Sequence, residues 1–152
     1  MNLQVSVAGT DALTLRFKYL IEAAQQGLKF GVSEGADLIA EEAKTIVPVD
    51  TGNLRDHIHA ETVIDQPERQ VMAVTPVVES SNEYGFDPAY ARRIELGFMG
   101  TDKLGRTYHQ AAQPYMRPAF DQKKEEARAA IKDGVMSALD DAASQVAARQ
   151  RG

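Results

Sequence analysis

The stretch Ile46-Val47-Pro48-Val49-Asp50-Thr51-Gly52-Asn53-Leu54-Arg55 decides how the first half of the chain folds. Apolar residues upstream of it recur at helical spacing, and Pro48 disfavours a helical conformation in the residue before it. The sequence therefore predicts that a long helix ends at this point. A turn follows, in which Gly52 supplies backbone freedom and Asp50 or Thr51 can cap a second, short helix.

The same stretch admits a catalytic interpretation, because Asp-Thr-Gly is the triplet that carries the catalytic carboxylate of aspartic proteases. That chemistry needs two carboxylates that share one proton, so this chain would have to dimerise. In such enzymes the triplet lies between buried apolar strands, whereas here Pro48 precedes it and Arg55 follows shortly after it. We favour a coincidental short motif and keep the dimeric protease as a minor alternative.

Length and composition limit the class of protein. The 152 residues predict a single domain, residues 1–152, which can bury a core without covalent staples. The absence of cysteine excludes disulfides and thiolate metal sites. No basic segment followed by an apolar run occurs near residue 1, and no apolar stretch has membrane-spanning length. We expect a soluble protein made in a cytosol, with no membrane partner.

The charges are unevenly distributed. The net charge of -5 argues against specific binding of nucleic acid, which needs a basic face. Residues 61–87 contain six acidic residues and one basic residue, whereas residues 88–132 contain five acidic and nine basic residues. Ordinary solvated faces are the simpler interpretation. The alternative is a polar protomer whose acidic side meets the basic side of a neighbour, as head-to-tail ring assembly requires.

Periodicity predicts an α+β fold, in which an antiparallel sheet packs against a long N-terminal helix and a long C-terminal helix. The predicted elements are a strand at 2–8, a helix from Thr10 or Asp11 to Val47, a short helix at 53–58, strands at 59–66 and 69–79, a short helix at 89–96, and a helix from Pro118 onward. Glycines predict a break or bend near residues 25–31. Pro76 places the second strand at an edge or a bulge.

Residues 98–113 show no clear periodicity and contain Gly100 and Gly105. We expect a long mobile loop that becomes ordered against a partner. Beyond it, an apolar stripe predicts a final helix on the order of 45 Å long. The stripe consists of Phe120, Ala127, Ile131, Val135, Ala138 and Ala142.

Three segments, Pro48 to Arg55, Tyr90 to Gly97 and Gln113 to Phe120, are similar, in this order, to motifs of a known family. Together they resemble the tail-completion, or head-tail joining, proteins of long-tailed bacteriophages, over about residues 30–130. Members of that family are non-catalytic virion components of α+β fold that form a hexameric ring at the head-proximal end of the tail and meet the neck.

The resemblance implies a structural protein without enzyme activity, cofactor or metal. It implies a homo-oligomeric ring, with the tail tube protein and the neck or head-completion protein as partners. The protein would be located in the virion, and in the host cytoplasm during assembly. A different neck or head-closure subunit of the virion is the first alternative to this function.

We interpret the motif residues as architectural. They are Pro48, Asp50, Thr51, Gly52, Leu54, Tyr90, Glu95, Gly97, Pro114 and Pro118. Structural pairing of Glu95 is favoured over acid-base chemistry, since no second titratable group is implied beside it. Pro114 and Pro118 pre-set the entry to the last helix, and Tyr115, Met116 and Phe120 are expected in the core.

Basic residues between positions 92 and 117 are the predicted interface. These are Arg92, Arg93, Lys103, Arg106 and Arg117, which we expect to meet an acidic surface of a neighbouring subunit or of the tail. The polar character of the loop predicts a free protein that is mainly monomeric or weakly associated.

Histidines provide one further candidate site. On a strand, His57 and His59 would face the same way and could bind zinc, with His109 as a third ligand. On a helix they would diverge, and nothing in the sequence brings His109 near. Solvated or capping imidazoles are favoured, and no metal site is predicted.

Overall fold

Two long antiparallel helices are the largest elements of this α+β fold. The computed structural model describes residues 9–76 and 88–148. Helix α1, Thr10–Ile46, packs along helix α4, Met116–Ala148, and a small antiparallel sheet packs against α1. The predicted class, a sheet against a long N-terminal and a long C-terminal helix, is confirmed. The predicted strand at 2–8 and the end of the strand at 69–79 lie outside the described residues.

Helix α1 runs without interruption through its glycines, so the predicted break near residues 25–31 is wrong. Gly27, Gly31 and Gly35 are buried against α4. A Cβ atom built at Gly31 would lie 2.6 Å from the Cα atom of Ile131, too close for any side chain. The glycines therefore let the two helices approach closely, and this packing outweighs their poor helix propensity.

The ends of α1 follow two different rules. At the start, Gly9 occupies the cap position with φ 94°, and no side chain caps the helix, so the predicted cap by Thr10 or Asp11 is wrong. The Thr14 hydroxyl instead donates to the Thr10 carbonyl. At the other end, the helix stops at Ile46, as Pro48 predicts.

The turn after α1 leads into a single helical turn, α2, Asn53–Asp56, which is shorter than the predicted 53–58. Gly52 precedes it with φ 85°, a conformation that favours glycine. The Thr51 hydroxyl accepts a hydrogen bond from the Asn53 N–H at 3.3 Å, so Thr51 supplies the side-chain contact at this end.

Strands β1, Ile58–Gln66, and β2, Arg69–Pro76, form an antiparallel hairpin that packs against α1. Ile58 pairs with Pro76, and the register shifts between Thr62 and Ile64. The irregularity therefore lies in β1, while Pro76 occupies the last paired position of β2. An ion pair between Lys29 and Asp65 connects the hairpin to α1.

Residues 98–113 contain a second hairpin, so the predicted structureless loop is wrong. Helix α3, Pro88–Leu96, ends as predicted before Gly97, and strands β3, Phe98–Thr101, and β4, Thr107–Gln110, follow it. The Asp102 carboxylate accepts hydrogen bonds from the Leu104 and Arg106 N–H groups, both at 2.9 Å. Strands of four residues are too short to show a period, and the Asp102 turn replaces the expected disorder.

The core lies at one end of the helix pair, which we call the base. Its buried residues are Ala40, Ala43, Val47, Leu54, Ile58, Ala91, Ile94, Tyr115 and Ala119. Tyr115 is buried as expected and Met116 packs against the cluster, but Phe120 is 52% exposed, so its predicted core position is wrong. Phe120 lies on the side of α4 that the base leaves uncovered.

At the opposite end the helices continue as a two-layer stem, residues 10–26 of α1 with 135–148 of α4. Large apolar side chains remain exposed along the α1 part of the stem. They are Leu13, Leu15, Phe17, Tyr19 and Ile21. None of the helices within residues 9–76 and 88–148 combines the length and apolarity needed to cross a membrane.

Candidate functional site

The three motif segments meet in the base. Leu54 from the first, Ile94 from the second and Tyr115 from the third belong to one buried cluster, although they are far apart in the sequence. The Gln113 N–H group also donates to the Ile94 carbonyl at 2.8 Å, which joins the second and third segments directly. The motif residues therefore belong to a single structural unit.

Glu95 connects α3 to the start of α4. Its Oε2 atom accepts hydrogen bonds from the N–H groups of Tyr115 at 2.7 Å and Met116 at 3.0 Å, and its Oε1 atom accepts one from Arg117 at 3.3 Å. These N–H groups have no partner within the helix, and the helix dipole favours negative charge there. Glu95 thus caps α4 from a different helix, in agreement with a structural role.

Tyr115 lies beside this cap and is 1% exposed. Burial, together with the nearby Glu95 charge, raises the pKa of the Tyr115 hydroxyl to about 12. Both causes disfavour the tyrosinate form. The phenol therefore remains neutral far into the alkaline range.

The remaining motif residues occupy the turns around the base. Gly97 ends α3 with φ 76°, and a Cβ there would lie 2.9 Å from the Gln110 carbonyl oxygen, so both conformation and space require glycine. Pro118 lies in the first turn of α4, where a missing N–H costs nothing, and Pro114 precedes that helix. Pro48 is half-buried beyond α1, whereas Tyr90 on α3 is 40% exposed.

The Asp-Thr-Gly triplet lies in the turn between α1 and α2 and not between buried strands. Asp50 and Thr51 are exposed and Gly52 is buried. Thr51 is engaged with the backbone of Asn53. The triplet thus supports a turn, and its surroundings differ from the apolar strands that flank a protease carboxylate.

The predicted interface residues lie on three different elements. Arg92 and Arg93 are exposed on α3, and the Arg93 guanidinium lies 4.9 Å from the centre of the Phe98 ring. Lys103 and Arg106 lie at the tip of the β3–β4 hairpin, where Arg106 pairs with Asp102 at 2.7 Å. Arg117 begins α4 and lines a groove that the other four do not line.

That groove, of about 640 Å³, lies between α1, β2 and α4, and we call it the basic groove. Its apolar lining comes from Val32, Ala36, Ile39, Met72, Val74, Phe120 and Ile131. Arg117, Lys124 and Arg128 border it on α4, one to two helical turns apart, and Glu95 of α3 is the single acidic residue of its lining. An apolar lining with basic neighbours suits an apolar group that carries acidic residues beside it.

The histidines do not form a common site. The His57 Nδ1 atom lies 2.7 Å from the Asn53 carbonyl oxygen at the end of α2, so His57 is not on the strand. His59 is on β1 and His109 is on β4, in the other hairpin. Across residues 9–76 and 88–148, no group of three histidine, aspartate or glutamate side chains could hold a metal ion.

The fold defines the class of the molecule as an α+β domain with a braced base and a two-helix stem. Comparison of the chain with protein-family models, with curated proteins and with solved structures finds no match. The function therefore has to be argued from the motifs and from the surfaces described above.

Proposed function

We propose that the chain is a structural virion protein, a ring-forming adaptor at the head-proximal end of a phage tail that joins the tail to the neck. The observation that carries the proposal is the meeting of the three resembling segments in one braced cluster. Residues that jointly build a fold are those that a family of adaptors would share. The meeting of the three segments in one unit therefore supports the resemblance.

The use of the polar motif residues supports an adaptor over an enzyme. Glu95 is engaged by three backbone N–H groups, which leaves it poorly suited to proton transfer. Asp50 is exposed in a turn. The exposed surface of the stem and the basic groove offers contact area for partners instead.

In the proposed assembly the chain forms a homo-oligomeric ring, a hexamer by analogy with the family it resembles. One side of the ring meets the tail tube protein and the other meets the neck or head-completion protein. The ring forms in the host cytoplasm and remains in the virion. No cofactor takes part in this function.

The test is to delete the gene from the phage that carries it and to examine the lysate by electron microscopy. We expect filled heads and separate tails that do not join. Purified protein added to these tails should bind at one end as a ring and restore infectious particles. Joined, infectious particles in the absence of the gene would overturn the proposal.

The variant Asp50→Asn separates the adaptor from the minor protease alternative. An adaptor carrying this change should still bind tails and complete particles, because Asp50 is exposed in a turn and the change removes only its charge. An aspartic protease would keep its fold and lose all function. Loss of particle completion by folded Asp50→Asn protein would therefore favour the enzyme.

A further inference from the structure

We propose that the basic groove of one subunit accepts Phe30 and the acidic residues around it from a second copy of this chain, so that subunits join head to tail. The proposal rests on the ring-forming function proposed above and specifies the contact that would build the ring. Three features support this contact: an exposed apolar side chain, complementary charge and the positions of the two surfaces.

Phe30 is the exposed apolar group. It lies on α1 at 66% exposure, the most exposed aromatic side chain in the described ranges. It borders a shallow depression of about 410 Å³ between α1 and α4, on which Glu34, Asp133 and Asp141 also lie. We call Phe30 and these three acidic residues the acidic face. Burial of such a ring removes apolar surface from water, so a partner surface that covers it is stabilised by the contact.

The charges of the two surfaces are opposite in sign. Three basic residues and the Glu95 carboxylate border the groove, which leaves it net positive, and three acidic residues line the same depression as Phe30. Within residues 9–76 and 88–148, Glu34, Asp133 and Asp141 form no ion pair. They are therefore available to a basic partner.

Two of the basic residues already have local partners. Lys124 pairs with Asp121 at 3.3 Å and Arg128 pairs with Glu125 at 2.9 Å, each three residues along the same exposed helix face. Exposed pairs of this kind contribute little, so exchange for a neighbour's carboxylates costs little. Arg117 adds a third charge at the end of the groove nearest the base.

Position decides the kind of contact. Val32, which lines the basic groove, follows Phe30 by two residues, and this separation corresponds to about 200° around an α-helix. The groove and the acidic face therefore lie on opposite sides of the α1–α4 pair. A contact between them leaves one groove and one acidic face open on the two outer subunits, so further subunits can add, and a ring forms where the rotation between neighbours closes.

The occupant of the groove is thus a second copy, and charge reversal tests this directly. We expect Lys124→Glu with Arg128→Glu to weaken self-association at least about tenfold, measured by sedimentation at low salt. Asp133→Lys with Asp141→Lys should have the same effect. A mixture of the two variants should associate again, because each groove then finds a complementary face. Failure of both variants to weaken association, or no recovery in the mixture, would overturn the proposal.

Cysteine cross-linking tests the apolar contact even where association is weak. The chain contains no cysteine, so Phe30→Cys with Phe120→Cys introduces the only thiols. Mild oxidation should give a ladder of disulfide-linked oligomers. The control is Phe17→Cys with Phe120→Cys, which moves the first thiol to a similarly exposed phenylalanine of the stem. Equal ladders from both variants, or none from the first, would overturn the contact.

The two proposals fail in different ways. One outcome is that the disulfide ladder forms and the mixed charge-reversed variants associate again, but the protein does not join tails. In that case the head-to-tail contact stands and the tail function is wrong. If the protein completes tails and the charge-reversed variants do so at the wild-type rate, the tail function stands and this contact is wrong.

Discussion

The base and the stem of the α1–α4 pair are built from similar helical patterns, but within residues 9–76 and 88–148 the further elements pack around the base. In the base, α2, α3 and the first hairpin add further layers around Ile58 and Tyr115. Among the described residues of the stem, α1 and α4 face each other, and Phe17 and Ile21 remain more than half exposed. An apolar stripe in the sequence thus predicts one face of a helix, but it does not predict that other elements bury that face. Buried apolar contacts are therefore concentrated in the base, and exposed apolar side chains in the stem.

A matched pair of isoleucines provides the largest expected difference between the two ends. Ile58 is 0% exposed and Ile21 is 56% exposed. We expect Ile58→Ala to lower the free energy of unfolding by about 2–5 kcal/mol and Ile21→Ala by less than about 1 kcal/mol. Urea unfolding followed by circular dichroism measures both. Equal losses would show that the stem is covered in the free protein and would break the comparison.

The cap on α4 gives the next largest effect. Glu95→Ala leaves three N–H groups, two of them partly buried, without a charged acceptor, and we expect a loss of roughly 2–3 kcal/mol in unfolding free energy. Glu95→Gln keeps one acceptor oxygen and should cost less. Glu126→Ala on the exposed face of α4 is the control and should change little. If Glu95→Ala unfolds like this control, the bracing of the base does not depend on the carboxylate.

Alkaline titration tests the burial of a single group in the base, the Tyr115 phenol. The pKa of Tyr115 is about 12 in the folded chain and about 10 in an unfolded one. The contribution of the buried neutral phenol to the free energy of unfolding is therefore complete below pH 10 and is lost as pH rises towards 12. The loss should reach about 2–3 kcal/mol. Unfolding curves of the wild type and Tyr115→Phe between pH 8 and pH 12 measure it, since the variant lacks this decline. Parallel pH profiles would show that Tyr115 ionises equally in both states.

Substitution of the α1 glycines that pack against α4 has the smallest expected effect. In Gly31→Ala the added Cβ meets the α4 backbone at 2.6 Å, whereas in Gly35→Ala it meets Ala127 at 3.1 Å or more. Overpacking should exceed the gain in helix propensity at Gly31, for a net loss of about 1–2 kcal/mol, and roughly balance it at Gly35. Thermal unfolding of both variants tests this order. A more stable Gly31→Ala would mean that the helices can separate freely.

Local sequence rules predicted the elements of the base well. Pro48 ends α1, Gly97 ends α3, and alternation locates the first hairpin, since each of these features acts on neighbouring residues alone. The structural role of Glu95 was also expected, although its partners twenty residues away were not. A carboxylate that caps a different helix carries no signal at local spacing.

Features that depend on tertiary contact escaped prediction. The glycines of α1 led to the prediction of a helix break, because the local sequence does not show that α4 lies against them. The turn at Asp102 could have been found, since aspartate followed three residues later by glycine is typical of a tight turn. The exposure of Phe120 and the presence of the basic groove could not have been predicted from the sequence, because they depend on which helix faces the small base leaves open.

The hydrogen bond between Gln113 and Ile94 has a practical consequence for engineering. It holds together the two points at which the β3–β4 hairpin leaves and rejoins the base, so the chain between them forms a closed side branch. Lengthening such a branch costs only about 0.6 kcal/mol for each doubling of its length. The tip at Lys103 and Leu104 is therefore a suitable place to insert an affinity tag or a fluorescent peptide without disturbing the base.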